Sequence, residues 1–203
     1  MIKVWDLIKL LFPLNRSITG TGNLETLNII KRLILPNLKF RKVKSGSKVF
    51  DWVVPPEWNV KKAYIKNRFG EKIIDFSKNN LHLVSYSVPF KGKVKKKKLL
   101  EHLYFLDNYP NWIPYRTSYY DKKWGFCCKK NLINSKKFKG PFEVFIDSRF
   151  KNDGNLIWGE AIKKGKSKKE ILISTYFCHP SLANDNLSGL VTSLYLFYYL
   201  NSI

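Results

Sequence analysis

Cysteine, methionine, histidine and arginine are all scarce in this 203-residue chain, and acidic residues are outnumbered by basic ones, 15 to 37. Each shortage excludes something. Three cysteines, Cys127, Cys128 and Cys178, make no disulfide framework. Two of them are neighbours, which rarely bridge, and no CxxC pair or Cys/His ligand spacing occurs. A reducing cytoplasm is the compartment expected. The net charge of +22 invites a polyanion. Arginine, however, whose planar fork reads bases and phosphates, is confined to Arg16, Arg32, Arg41, Arg68, Arg116 and Arg149. The lysines are spread along the whole chain, so no specific nucleic-acid partner is expected. No apolar run reaches the roughly 20 residues of a membrane span. The N-terminal stretch Met1–Leu14 is interrupted by Asp6 and Lys9 and lacks a small-residue cleavage site, so it reads as a short amphipathic helix rather than a signal peptide. Nothing repeats at a fixed period. What is present is apolar and aromatic, 44% and 15% of residues, enough for a substantial core.

Along the chain, residues 3–11 are expected to form a helix stopped by Pro13. A polar loop, Asn15 to Gly22, follows. A second helix is predicted from about Asn23 to Leu35, with Gly22 as its cap, Glu25 three residues on, and Leu24, Leu27, Ile30 and Ile34 on one face. Pro36 ends it. From Lys39 to Tyr119 the texture changes to short runs rich in Val, Ile, Trp and Tyr, broken by turns: Val49–Val54, Ala63–Lys66, Lys72–Phe76 and His82–Val88. A short helix is expected near Lys96–Leu103. Further strands are predicted at Phe142–Asp147, Leu156–Ala161 and Ile171–Phe177, with Lys163–Lys169 as a solvated hairpin turn. Ile171 to Thr175 is apolar enough for a central strand buried on both faces. A core helix, packed on that sheet and exposing some apolar surface, should run from Leu187 to the last residue.

The chemistry gathers after that strand. His179 is expected at its C-terminal end and Asp185 six residues later, at the mouth of a helix. Ligands bind beyond the carboxyl ends of strands in open α/β sheets, and a neutral imidazole and a carboxylate are suitable zinc ligands. Asp185 could equally be a helix cap. The segment Ile173–Gly189, with its Asn-Asp-Asn-Leu-Ser-Gly run, resembles the first metal-binding loop of co-catalytic zinc aminopeptidases. The wider chain resembles the aminopeptidase-like proteins of bacterial polysaccharide-biosynthesis clusters, through Leu11-Phe12-Pro13 to Gly20, Phe50-Asp51-Trp52 to Trp58, Tyr115 to Phe126 and His179 to Gly189.

That resemblance implies an α/β, zinc-exopeptidase-like mixed sheet with flanking helices. Residues 1–45 and 116–203 would form it, interrupted by a small, mostly-β domain over 46–115. It implies that His179 is a terminal zinc ligand and Asp185 a bridging one, for one or two ions. The general-base Glu and three further ligands would lie beyond Ile203, so the stretch given should be an incomplete, inactive fragment. The implied activity is a metal-activated water attacking an amide bond, on a peptide or an amide-bearing sugar. One departure is visible: the broader family has an Asp two residues after the His, where this chain has Ser181. Arg16, Ser17 and Thr19 could bind a substrate carboxylate or sugar hydroxyl, or form a turn packed under the sheet. The alternative function is a non-catalytic carbohydrate- or protein-binding module, with Trp52, Trp58 and Trp112 as a stacking platform unless they are core. A homo-oligomer is a further expectation.

Overall fold

The computed structural model describes residues 2–202. In chain order its helices are α1 (Val4–Leu11), α2 (Thr21–Leu33), α3 (Lys96–Leu100), α4 (Lys130–Ile133) and α5 (Ser188–Ser202). Its strands are β1 (Lys39–Lys44), β2 (Lys48–Val49), β3 (Trp52–Val53), β4 (Glu57–Lys66), β5 (Lys72–Asp75), β6 (Phe90–Val94), β7 (Leu103–Tyr104), β8 (Phe126–Cys127), β9 (Phe142–Lys151) and β10 (Asn155–Glu160). The result is a mixed α/β chain of helices and small sheets. It divides into two compact units. One comprises the residues up to Glu57 and those from Asn152 onward; the other is Trp58–Lys151. No helix among the described residues is long and apolar enough to cross a membrane.

The first unit is built on three helices. Leu7 and Leu11, one turn apart on α1, are fully buried while Trp5 faces water. Pro13 prevents the helix from continuing. From α2, Leu27 and Ile30 join them, with Ile34 just beyond its end, and α5 adds Leu190, Val191 and Leu194 at helical spacing. Each such side chain contributes about 1.5–3 kcal/mol by leaving water. The helix α2 starts two residues earlier than expected. Gly20 takes the turn at φ 115°, a conformation that suits glycine, and Leu24 points outward. Asn23, a polar residue on the same face as Leu27, Ile30 and Ile34, is buried with them. Phe40 of β1 and Ile157 of β10 pack against this core from a two-stranded antiparallel ribbon, in which Phe40 lies opposite Gly159.

One expectation for this unit fails. Ile171–Phe177 is not a strand, and the lysine stretch before it is an exposed loop rather than a hairpin turn. Ile171 and Leu172 are 92% and 88% exposed. An apolar run becomes a strand only when neighbours take up its N–H and C=O groups, and among the described residues no strand pairs with it. The helix α5 correspondingly packs among helices, not on a central sheet, and leaves Leu196, Tyr198 and Tyr199 exposed.

The second unit is organised by a four-stranded sheet in the order β5-β4-β9-β6, with β4 antiparallel to β5 and β6 antiparallel to β9. Along β9, Phe142, Val144, Ile146 and Ser148 are buried and the residues between them partly exposed, the period of two that a one-sided sheet imposes. Trp58 is buried, stacks on Tyr86 at 5.6 Å, and donates its indole N–H to the Ser87 carbonyl at 3.1 Å. His82–Val88, expected as a strand, makes only isolated bridges at Leu83 and Ser85, because Tyr86 turns the backbone to φ 65°. This unit runs on to Lys151 because pairing with β6 draws β9 into it.

Candidate metal-binding loop

The residues singled out for chemistry all lie in the first unit. After the extended 171–177 segment, the backbone turns at Ser181, whose φ of 39° lies in the left-handed region. A non-glycine residue there costs on the order of 1 kcal/mol or more. Its hydroxyl holds the turn by donating to the Phe12 carbonyl at 3.1 Å. Ser181 thus ties the loop to the end of α1, a task different from orienting an imidazole. An irregular turn over Ala183–Leu187 follows, with Asp185 at φ −112° and ψ 88°, and a cis peptide joins Asp185 to Asn186. Asp185 stands three residues before the start of α5, and its side chain, 58% exposed, is held by Tyr176.

It is aimed at His179. The His179 Nδ1 and Asp185 Oδ1 atoms are 3.9 Å apart, with the imidazole mostly sheltered. Two ligand atoms on one tetrahedral zinc stand roughly 3.4 Å apart, so the two side chains are near neighbours on that scale, although the oxygen at 3.9 Å is the one that Tyr176 occupies. Tyr176 supports the arrangement. Its hydroxyl donates to Asp185 Oδ1 at 2.6 Å, and its ring meets that of His179 edge-on at 5.6 Å. The bond to Asp185 holds the phenol protonated, above its ordinary range. Oδ2 remains available for a cation. The Cys178 Sγ lies 3.6 Å from His179 Nδ1, and burial pushes its thiol up despite the nearby Arg16. Tyr176 was missed by sequence reasoning; its place three residues before the His was the available signal.

The donor types and spacing fit part of a zinc shell. They do not close one. A catalytic zinc takes three protein ligands and a structural one four, and among the described residues no group of three or more His, Cys, Asp or Glu side chains is placed to hold a metal.

The early loop resolves differently. Ser17 donates its hydroxyl to the Thr19 carbonyl, and Thr19 donates to Pro56 O at 3.2 Å. Asn23 reaches back from α2: its Oδ1 accepts from the Ser17 N–H at 3.1 Å, and its Nδ2 donates to Ser17 O at 2.7 Å. Ser17 and Thr19 therefore hold the turn together. Arg16 is 1% exposed; its Nη1 donates to the Leu11 carbonyl, while its Nε and Nη2 are buried without a partner. Burial lowers its pKa to about 10, against the pull of Cys178.

A groove of about 520 Å³ in the same unit is lined by residues including Ile34, Leu38, Ala161, Ile162 and Phe197. It contains neither His179 nor Asp185; its lining includes Lys39, Lys164, Tyr198 and Glu160, the last already bonded to Arg41 and Trp158.

The fold that carries this loop is similar to that of peptidase-like proteins. The chain is similar to a Clostridium acetobutylicum protein called "Putative polysaccharide biosynthesis protein with aminopeptidase-like domain", with 47% identity over 187 residues, 92% of this chain and 42% of the relative. A crystal structure described as a putative peptidase from Clostridium acetobutylicum matches with a TM-score of 0.93 and 44% identity, over 98% of this chain and 46% of that one. Residues 57–149 match a family described only as "Domain of unknown function (DUF2172)". The resemblance to aminopeptidase-like proteins of polysaccharide biosynthesis, read first from the motifs, thus holds over nearly the whole chain. The chain spans less than half the length of these relatives.

Proposed function

We propose that this chain carries the first metal-binding loop of a zinc-dependent, aminopeptidase-like hydrolase whose zinc-exopeptidase-like sheet is interrupted by a small β-rich insert. The observation that carries the reading is the approach of His179 to Asp185, 3.9 Å apart on a loop tied to α1. Peptidase-like relatives support it. In this reading His179 offers a ring nitrogen and Asp185 offers Oδ2, while Tyr176 fixes the carboxylate by holding Oδ1. Ser181 keeps the two ligand-bearing turns in register with α1. When bound, zinc supplies Lewis-acid polarisation of an amide carbonyl. The substrate is the amide of a peptide, or of an amide-bearing sugar. The general base and the three remaining ligands come from polypeptide of the kind that fills the rest of the relatives' length, so two ligands alone give weak binding and no turnover.

A carbohydrate-stacking module is not favoured. Trp58 is fixed in the core of the second unit by Tyr86 and Ser87 and is closed to a sugar. Calorimetric zinc titration tests the proposal. Binding should be present in the chain and at least tenfold weaker in the His179→Ala, Asp185→Ala double variant. Equal binding by the two proteins would sink it.

A further inference from the structure

Arg16 is an anomaly. A buried guanidinium is ordinarily paired, because removing a charge from water without a counter-ion is unfavourable. Here Nη1 is anchored on the Leu11 carbonyl, but no carboxylate among the described residues lies within ion-pair distance, and Nε and Nη2 lack any partner. These two nitrogens are not scattered donors. They share one side of the planar guanidinium, so their N–H bonds run parallel, the arrangement that matches the two oxygens of a carboxylate. The protein covers that edge without bonding it: Ser17 and Thr19 spend their hydroxyls on carbonyls, and Asn23 is occupied with Ser17, so a carboxylate reaches Arg16 only by packing into the turn. Cys178, next to the candidate ligand His179, is the ionisable group that interacts with it electrostatically.

We infer that the free edge of Arg16 is a receptor for a single carboxylate, held beside the His179 loop. One positive charge and two parallel donors match that group. A phosphate would need further donors, and the turn has committed its hydroxyls. The carboxylate arrives either on a small ligand or as an Asp or Glu side chain of polypeptide that covers this unit. Both present the same two oxygens. The inference is independent of zinc, and its test uses none, so either reading can fail alone.

The test compares thermal unfolding of the full chain with Arg16→Met and Arg16→Lys, at constant ionic strength and without metal. In chloride, Arg16→Met should unfold at a higher temperature than the parent, because an unpaired buried charge has been replaced by an apolar chain of similar length. Acetate should then stabilise the parent saturably and neither variant, Lys keeping the charge but losing the fork. Where the carboxylate comes on polypeptide, acetate has no effect, and the unmatched portion of the Clostridium relative, added as a separate chain, binds the parent at least tenfold more tightly than Arg16→Lys. A parent more stable than Arg16→Met in chloride would overturn the inference, since the guanidinium would then be satisfied in place. So would the absence of any Arg16-dependent gain in both the acetate and the polypeptide arms.

Discussion

Gly22→Ala sets two effects of known size against each other. Gly22 lies in the first turn of α2, where alanine would gain up to about 1 kcal/mol in helix propensity. A Cβ at this position, however, would lie 2.1 Å from the Asn15 carbonyl oxygen and 2.6 Å from its carbon. Both are backbone atoms, and no flexible side chain can swing away. The loop must move by more than an ångström, which breaks the paired bonds between Asn23 and Ser17. Each is worth about 1 kcal/mol, and forced overpacking adds about 1–3 kcal/mol. The clash wins. The expected result is a net destabilisation of about 2–4 kcal/mol, a fall in Tm of roughly 4–16 °C for a chain of this size. Circular dichroism melts would read it. Gly46→Ala is the control, because its Cβ would meet nothing within 4 Å and only the φ of +84° opposes it. If Gly22→Ala melted at or above the parent, the close approach that fixes the Arg16 turn would be disproved.

Three further outcomes follow from the second unit. Trp58→Ala should cost about 3–5 kcal/mol in denaturant unfolding, since it empties a buried, stacked and hydrogen-bonded site; a loss below 1 kcal/mol would contradict that packing. Cys127 and Cys128 are fully buried, and burial pushes both thiols up to about 12. At pH 8 the native protein should therefore alkylate there on the order of 10³-fold more slowly than a free thiol, and at the ordinary rate once unfolded; mass spectrometry distinguishes the two. Burial alone would raise Asp75, but hydrogen bonds from Ser77 and the Lys72 ammonium hold it below the usual carboxylate range. Its stabilisation is therefore present above the unfolded carboxyl pKa near 4 and lost as pH falls through the lower folded value. Asp75→Asn should weaken the fold at pH 7 and flatten the loss of stability on acidification; an unchanged pH profile would refute the pairing.

Much of the local structure was legible because it is fixed by near neighbours. Pro13 and Pro36 bound the first two helices, and Phe142–Asp147, strand-like in composition, lies within β9. What failed depended on distant partners or on one dihedral. The apolar run Ile171–Phe177 satisfies every local rule for a strand, yet pairing is a non-local property and no described strand supplies it. His82–Val88 has strand composition and is broken by the single positive φ of Tyr86. The start of α2 was misplaced because Asn23 acts through its side chain, bonding back to Ser17, which periodicity does not register. At the candidate site the motif pointed to His179 and Asp185, and six residues of loop suffice to bring their side chains to 3.9 Å. It did not reveal that Tyr176 holds Asp185, or that Arg16 keeps two buried donors without a partner.

The most direct test of the metal reading is crystallographic: crystals of the chain grown with zinc, with anomalous data collected at the zinc absorption edge. The account predicts a peak between His179 and Asp185, at about 2.0–2.2 Å from a ring nitrogen of one and a carboxylate oxygen of the other, with Tyr176 still bonded to the remaining oxygen. Zinc found only elsewhere on the protein, with His179 and Asp185 keeping their present contact, would contradict it.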